Sequence, residues 1–125
     1  MKRAGDGAYQ QPGADAANPA TLIGALELGR RSLVASRHLR RAELLLHRSR
    51  TLPPTASATA LDDATRALEQ AIGLRPTDGL YRQRAAYVAL RRGDFTRAID
   101  QSTAALVVEP HSPYAWALLA QGELG

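Results

Sequence analysis

Two stretches of the chain, residues 61–76 and 95–110, share one pattern, and their terminal prolines are 34 residues apart. With the prolines aligned, small or large apolar residues match at five places, which are Leu61/Phe95, Ala64/Ala98, Ala71/Ala105, Ile72/Leu106 and Leu74/Val108. Small residues at fixed positions let two helices approach closely, while large ones fill the space between layers. The spacing therefore predicts repeated pairs of closely packed helices.

The composition favours helices throughout the chain. Of 125 residues, 24 are alanine and 18 are leucine, whereas only six are aromatic. Strands prefer β-branched and aromatic residues, and no segment has the alternation of a strand. The sequence predicts one all-α domain of about five helices.

Proline and glycine divide the chain into predicted segments. Residues 1–17 have no apolar periodicity and are predicted to be a disordered tail. Residues 18–50 are predicted to form a basic helix, or a helix pair broken near 29–32. The Pro53-Pro54 pair predicts an inserted loop over 51–59, because two successive prolines stop a helix. Further helices are predicted over 60–74, 79–92, 95–108 and from 113 onward.

Residues with capping side chains precede most of these helices. Asn18 and Ser112 each stand before a proline, and Asp78 stands before Gly79, as is typical of helix starts. Thr59 is predicted to cap the helix that follows the loop. Asp62 and Asp63 would then lie in its first turn, where carboxylates suit the helix dipole.

The 34-residue period of helix, turn and helix resembles the tetratricopeptide repeat. The resemblance covers about residues 37–125 and implies a short right-handed α-solenoid. Residues Tyr81, Arg84, Ala85 and Val88 fit the first helix of that repeat, as do Trp116, Leu119 and Ala120. The resemblance implies packing roles for Ala64, Ala71, Pro76, Tyr81, Ala85, Phe95, Ala98, Ala105, Pro110, Trp116 and Ala120.

The first repeat departs from the family pattern. Residues 38–45 resemble residues 81–88, but Ala42 and Ala64 are 22 residues apart, against 13 for Ala85 and Ala98. The nine extra residues equal the length of the predicted loop 51–59. We therefore expect a nine-residue insertion in the turn between the two helices of this repeat.

In proteins with this repeat the first helices line a concave groove that holds an extended peptide or a partner helix. The resemblance places the partner-binding groove at Gln83, Arg84, Tyr87, Leu90 and Arg91. The predicted function is a non-catalytic protein-interaction or scaffolding module of a larger assembly.

The positive charge is concentrated in one segment. Residues 30–50 contain seven arginines and one glutamate, a net +6, while the whole chain carries +4. The candidate basic patch is Arg30, Arg37, Arg40, Arg41 and Arg48, with Arg40 and Arg50 expected to point away from the face of the others. A solvated helix face, aided by pairs such as Glu27–Arg31, is one interpretation. The alternative is binding of nucleic acid, anionic lipid or an acidic protein, although residues 20–80 offer no aromatic platform for base stacking.

The sequence contains no recognisable catalytic or metal-binding motif. There is no cysteine, and His38, His47 and His111 lack the spacing of a helical metal pair. We expect neither an enzyme nor a cofactor. Without an apolar signal segment, a cytoplasmic location is expected. If the chain is excised from a longer one, it would be the soluble part of an envelope-associated assembly factor.

The last predicted helix would begin a third repeat whose second helix the sequence does not contain, so it should leave apolar surface open. Self-association through this helix is therefore expected. Light scattering coupled to size-exclusion chromatography should give a mass above that of one chain. A strict monomer at high micromolar concentration would contradict the expectation.

Overall fold

A computed structural model describes residues 18–125, which contain five helices and no strand. The helices are α1 (Pro19–Ser49), α2 (Pro54–Leu74), α3 (Gly79–Arg92), α4 (Phe95–Val108) and α5 (Pro113–Leu124). The prediction of an all-α chain is confirmed. The described residues form two compact units, 18–33 and 34–125. The predicted tail, residues 1–17, lies outside the described residues.

Helix α1 is continuous, so the predicted alternative of a broken pair is wrong. Its start is capped by Asn18, whose side-chain oxygen accepts a hydrogen bond of 2.9 Å from the backbone N–H of Ala20. Gly24 and Gly29 lie inside the helix, and a β-carbon added to either would meet nothing beyond the adjacent helix backbone within 4 Å. An interior glycine costs about 1 kcal/mol relative to alanine, which weakens a helix without ending it.

The predicted loop over residues 51–59 is wrong in its extent, because helix α2 already begins at Pro54. Proline is favoured at the first helical position because its missing N–H would have no helical partner there. The turn has four residues, 50–53, against two between α3 and α4, and α2 has 21 residues against 14 in α4. Two of the nine extra residues therefore lengthen the turn, and seven add about two turns of helix.

The early start of α2 also changes the roles of the residues assigned to its beginning. Thr59 is not a cap, because its hydroxyl lies inside the helix and donates to the Thr55 carbonyl at 3.2 Å. Asp62 and Asp63 are well past the first turn. Asp62 pairs with Arg92 of α3 at 3.0 Å, and Asp63 pairs with Arg66. These carboxylates therefore act through ion pairs.

The three helices that follow begin and end where the sequence predicts. Asp78 accepts from the Leu80 N–H at 3.0 Å, and Ser112 accepts from the Ala115 N–H at 3.2 Å. Gly93 ends α3 in the left-handed conformation, with φ +75°. That conformation strains any residue with a β-carbon, which explains a glycine at this turn.

The core of residues 34–125 is built largely from alanine. Ala42 of α1, Ala64 of α2 and Ala85 of α3 are buried together around the fully buried Leu68 and Val88. Helix α3 packs against α2, α4 and α5, and α4 also packs against α5. The repeat positions that the structure buries are Ala64, Ala71, Tyr81, Ala85, Ala98 and Ala105.

Other residues assigned to packing are exposed, which corrects the prediction. Trp116 is 54% exposed, and its indole N–H donates to the Pro110 carbonyl at 2.9 Å. Helix α5 instead buries Ala115, Leu118 and Gly122, so its buried face differs from the predicted one. Phe95, the first residue of α4, is 38% exposed. Ala120 on the outer side of α5, and Pro76 and Pro110 in the turns, are also exposed.

Replacing Leu68 by alanine should destabilise the chain by about 2–4 kcal/mol, because a fully buried leucine leaves a cavity. Leu44→Ala removes the same atoms from a side chain that is 54% exposed, and should cost less than about 0.5 kcal/mol. Urea unfolding followed by circular dichroism measures both. Equal losses in the two variants would contradict the packing described here.

Candidate protein-interaction site

A cavity of about 480 Å³ opens between α1, α3 and α5. Its lining consists of Glu43, Leu46, His47, Arg50, Arg84, Tyr87 and Tyr114. The α1 residues recur at intervals of three or four, which places them on one face of the helix. The lining thus combines one leucine and two tyrosines with two arginines, a histidine and a glutamate, so apolar and aromatic surface lies beside charged groups.

One wall of the cavity is held by an ion pair between α1 and α3. The Arg84 Nε lies 3.2 Å from the Glu43 Oε2. Both side chains are partly exposed, so the pair contributes at most about 1 kcal/mol. Its main effect is on charge, because Glu43 neutralises Arg84 and leaves the cavity's net positive charge to other groups.

Tyr87 stands between two arginines at the same α1–α3 contact. Its hydroxyl accepts a hydrogen bond of 3.5 Å from the Arg50 guanidinium. That hydrogen bond lowers the pKa of the Tyr87 phenol, burial opposes the shift, and Arg91 lowers it further. Arg50 has no acidic partner among the described residues, so it can also bind an anionic group that enters the cavity.

Of the five predicted groove residues, the structure brings Arg84 and Tyr87 into this cavity. Arg91 lies beside it and donates to the buried Ser49 hydroxyl at 3.3 Å. Gln83 is buried and donates to the Ser112 hydroxyl at 3.2 Å, so it links α3 to the start of α5. Leu90 is half-buried and does not line the cavity.

The cavity also contains residues that were not predicted from the sequence. These are Glu43, Leu46 and His47 of α1, Arg50 of the turn after it and Tyr114 of α5. The spacing of apolar residues in α1 indicated which side of the helix is buried. It did not indicate which residues beside that buried side would face α3. The signal that could have found them is the charge match between Glu43 and Arg84, since each lies next to an alanine that the repeat pattern aligns.

Four of the five basic-patch residues lie together on α1. Arg37, Arg40, Arg41 and Arg48 surround a second depression with Leu44 and Leu45. This corrects the expectation that Arg40 points elsewhere, because Arg40 lies one turn before Leu44. Arg50 does point away, into the cavity described above.

Arg30 belongs to the other unit, residues 18–33. Its guanidinium binds the Glu27 carboxylate at 2.6 Å, and Arg31 lies 3.7 Å from the same carboxylate. The hydrogen bond with Glu27 raises the pKa of Arg30, and the hydrogen bond from Arg30 lowers the pKa of Glu27. The predicted pairing of Glu27 with Arg31 is confirmed.

Residues 18–125 contain no group of three histidine, aspartate or glutamate side chains placed to hold a metal ion. None of their helices combines the length and the apolar character needed to cross a membrane.

Removing the guanidinium of Arg50 should raise the pKa of the Tyr87 phenol toward its ordinary value, because the largest cause of its lowering is lost. Ultraviolet titration of Arg50→Ala, with Tyr87→Phe to identify the signal, measures this pKa. Arg75→Ala, which removes an exposed arginine outside the cavity, should leave it unchanged. An unchanged pKa in Arg50→Ala would contradict the contact.

Comparison of the chain with protein-family models, curated proteins and solved structures finds no match. Inferences about function therefore rest on the sequence and structure of the chain. The relevant features are the 34-residue pattern, the cavity between α1, α3 and α5, and the arginine-rich face of α1.

Proposed function

We propose that the chain is a short tetratricopeptide-like solenoid that binds a segment of another protein and has no catalytic role. The observation that carries the proposal is the cavity between α1, α3 and α5, whose lining includes two of the five residues that the resemblance assigns to a partner groove, Arg84 and Tyr87. The role that fits such a module is scaffolding within a larger assembly.

The arrangement of helices supports a solenoid. In a helical repeat array each first helix contacts its own second helix and the first helices of neighbouring repeats. Here α3 packs against α4, which follows it, and also against α5. On its other side α3 is joined to α1 by the Arg84–Glu43 pair. These contacts support an arrangement in which α1, α3 and α5 are the first helices of three repeats.

The chemistry of the cavity supports a peptide that carries both an apolar and an acidic side chain. Leu46, Tyr87 and Tyr114 offer apolar and aromatic surface. Arg84 is already paired with Glu43, so Arg50 is the arginine of the lining that remains for a ligand carboxylate. Arginine binds carboxylates through two parallel hydrogen bonds, which fixes the position of the acidic residue.

Selection of peptides of about 12 residues from a displayed random library tests this function with the full chain. The selected peptides should combine an acidic residue with an aromatic or aliphatic one. Their dissociation constants, measured by fluorescence anisotropy, should rise about tenfold or more in Arg50→Glu and in Tyr87→Ala, because both remove central contacts.

The matched control is Arg75→Glu, which makes the same charge change at an exposed site outside the cavity. It should leave peptide affinity within about twofold at physiological ionic strength. Peptides that bind all three variants equally, or a library that yields no binder, would argue against a groove at this cavity.

A further inference from the structure

The second depression, on α1, is an open arginine face with a leucine at its centre. Arg37, Arg40, Arg41 and Arg48 are all exposed, and Leu44 between them is 54% exposed. None of the four arginines has an acidic partner among the described residues. The face runs over about 16 Å, or three helical turns. Such a concentration of like charge around an apolar side chain suits a partner of opposite charge.

Helices α1 and α3 correspond to each other with a shift of 43 residues. Ala42 and Leu46 of α1 and Ala85 and Ala89 of α3 occupy equivalent positions, and all four are buried. With this shift the arginine face of α1 has a counterpart on α3: Arg41, Leu44 and Arg48 correspond to Arg84, Tyr87 and Arg91.

On α3 these three positions are the ones that hold a neighbouring helix. Arg84 pairs with Glu43 at 3.2 Å. The Tyr87 hydroxyl accepts from Arg50 at 3.5 Å, and Arg91 donates to the Ser49 hydroxyl at 3.3 Å. These partners are two residues of α1, Glu43 and Ser49, and the first residue after it, Arg50. The same face of α1 therefore has the composition of a helix-binding face, yet its arginines are exposed.

We propose that the arginine face of α1 docks an acidic helix of another protein, in the manner in which α3 holds α1. The partner helix carries a carboxylate against Arg41 and an apolar residue against Leu44. The sequence pattern of the partner helix is taken from the α1 residues that face α3, which are Glu43, Leu46 and Ser49. That pattern is Glu-x-x-Leu-x-x-Ser. Arg37 and Arg40 add positive charge that attracts an acidic helix over a longer distance. This surface is separate from the cavity, so the proposal does not rest on peptide binding there.

A second copy of this chain does not supply such a helix. Seven of the ten acidic residues in the described part form an ion pair or cap a helix, and Glu43 itself is engaged with Arg84. The remaining three are Asp100 on α4, Glu109 in the turn after it and Glu123 on α5. They are spread over separate elements and form no acidic helix face.

Nucleic acid fits the face less well than an acidic helix does. Phosphate backbones are bound by cations and bases by aromatic stacking, and the centre of this face is an exposed leucine with no aromatic residue beside it. A helix with both a carboxylate and an apolar side chain can pair with the arginines of the face and also cover its exposed leucine.

The test uses a synthetic helical peptide of about 15 residues, near the length at which an isolated helix becomes stable. It carries the Glu-x-x-Leu-x-x-Ser pattern, and a scrambled peptide of equal composition is its control. Fluorescence anisotropy with the full chain should show tighter binding of the patterned peptide. Arg41→Glu should weaken that binding about tenfold, while Arg75→Glu, an equal charge change elsewhere, should not.

A charge exchange distinguishes a specific pair from general attraction. A peptide with lysine in place of the glutamate should bind Arg41→Glu more tightly than it binds the unmodified chain. Two competing probes are a mixed-sequence duplex DNA and vesicles containing phosphatidylserine. The proposal is overturned if either binds with higher affinity than the patterned peptide, if the scrambled peptide binds equally, or if the charge exchange restores nothing.

Discussion

Close approach of helices at buried alanines is the constraint on which the rest of this structure depends. Ala42, Ala64 and Ala85 have 0%, 0% and 5% of their surface exposed. Their small side chains let the helices approach one another, while Leu68 and Val88 fill the space between them. The same cluster holds α1 beside α3, where Arg84 and Glu43 pair. The cavity, the Tyr87 contacts and the buried Ser49 hydroxyl all follow from this packing.

The polar contacts between α1 and α3 fix position more than they add stability. Arg84–Glu43 is partly exposed, and such pairs contribute little net free energy. They mainly fix the orientation of the two helices, because the planar guanidinium of arginine binds a carboxylate in few orientations. Arg50 and the arginine face of α1 have no acidic partner among the described residues. Residues 18–125 therefore carry positive charge both in the cavity and along the exposed face of α1.

Most of the fold could be predicted from the sequence because helix ends depend on local chemistry. Asp78, Gly93 and Ser112 act within a few residues of themselves, and α3, α4 and α5 begin or end where these residues indicate. The Pro53-Pro54 pair misled the prediction, because the second proline starts a helix as readily as it stops one. The prediction for Trp116 was also wrong, because the repeat pattern does not show whether another helix lies against that side of α5.

The sequence by itself determined an all-α chain, the positions of the three turns after α2, most of the small residues of its core and the location of its positive charge. These properties follow from side-chain size, capping and periodicity, which act over a few residues. Only the tertiary structure decided that α1 and α3 share a cavity, that Gln83 is a packing residue and that Arg40 joins the other arginines. Those facts depend on the rotation of one helix relative to another, and residues about 40 positions apart in the sequence set that rotation through packing.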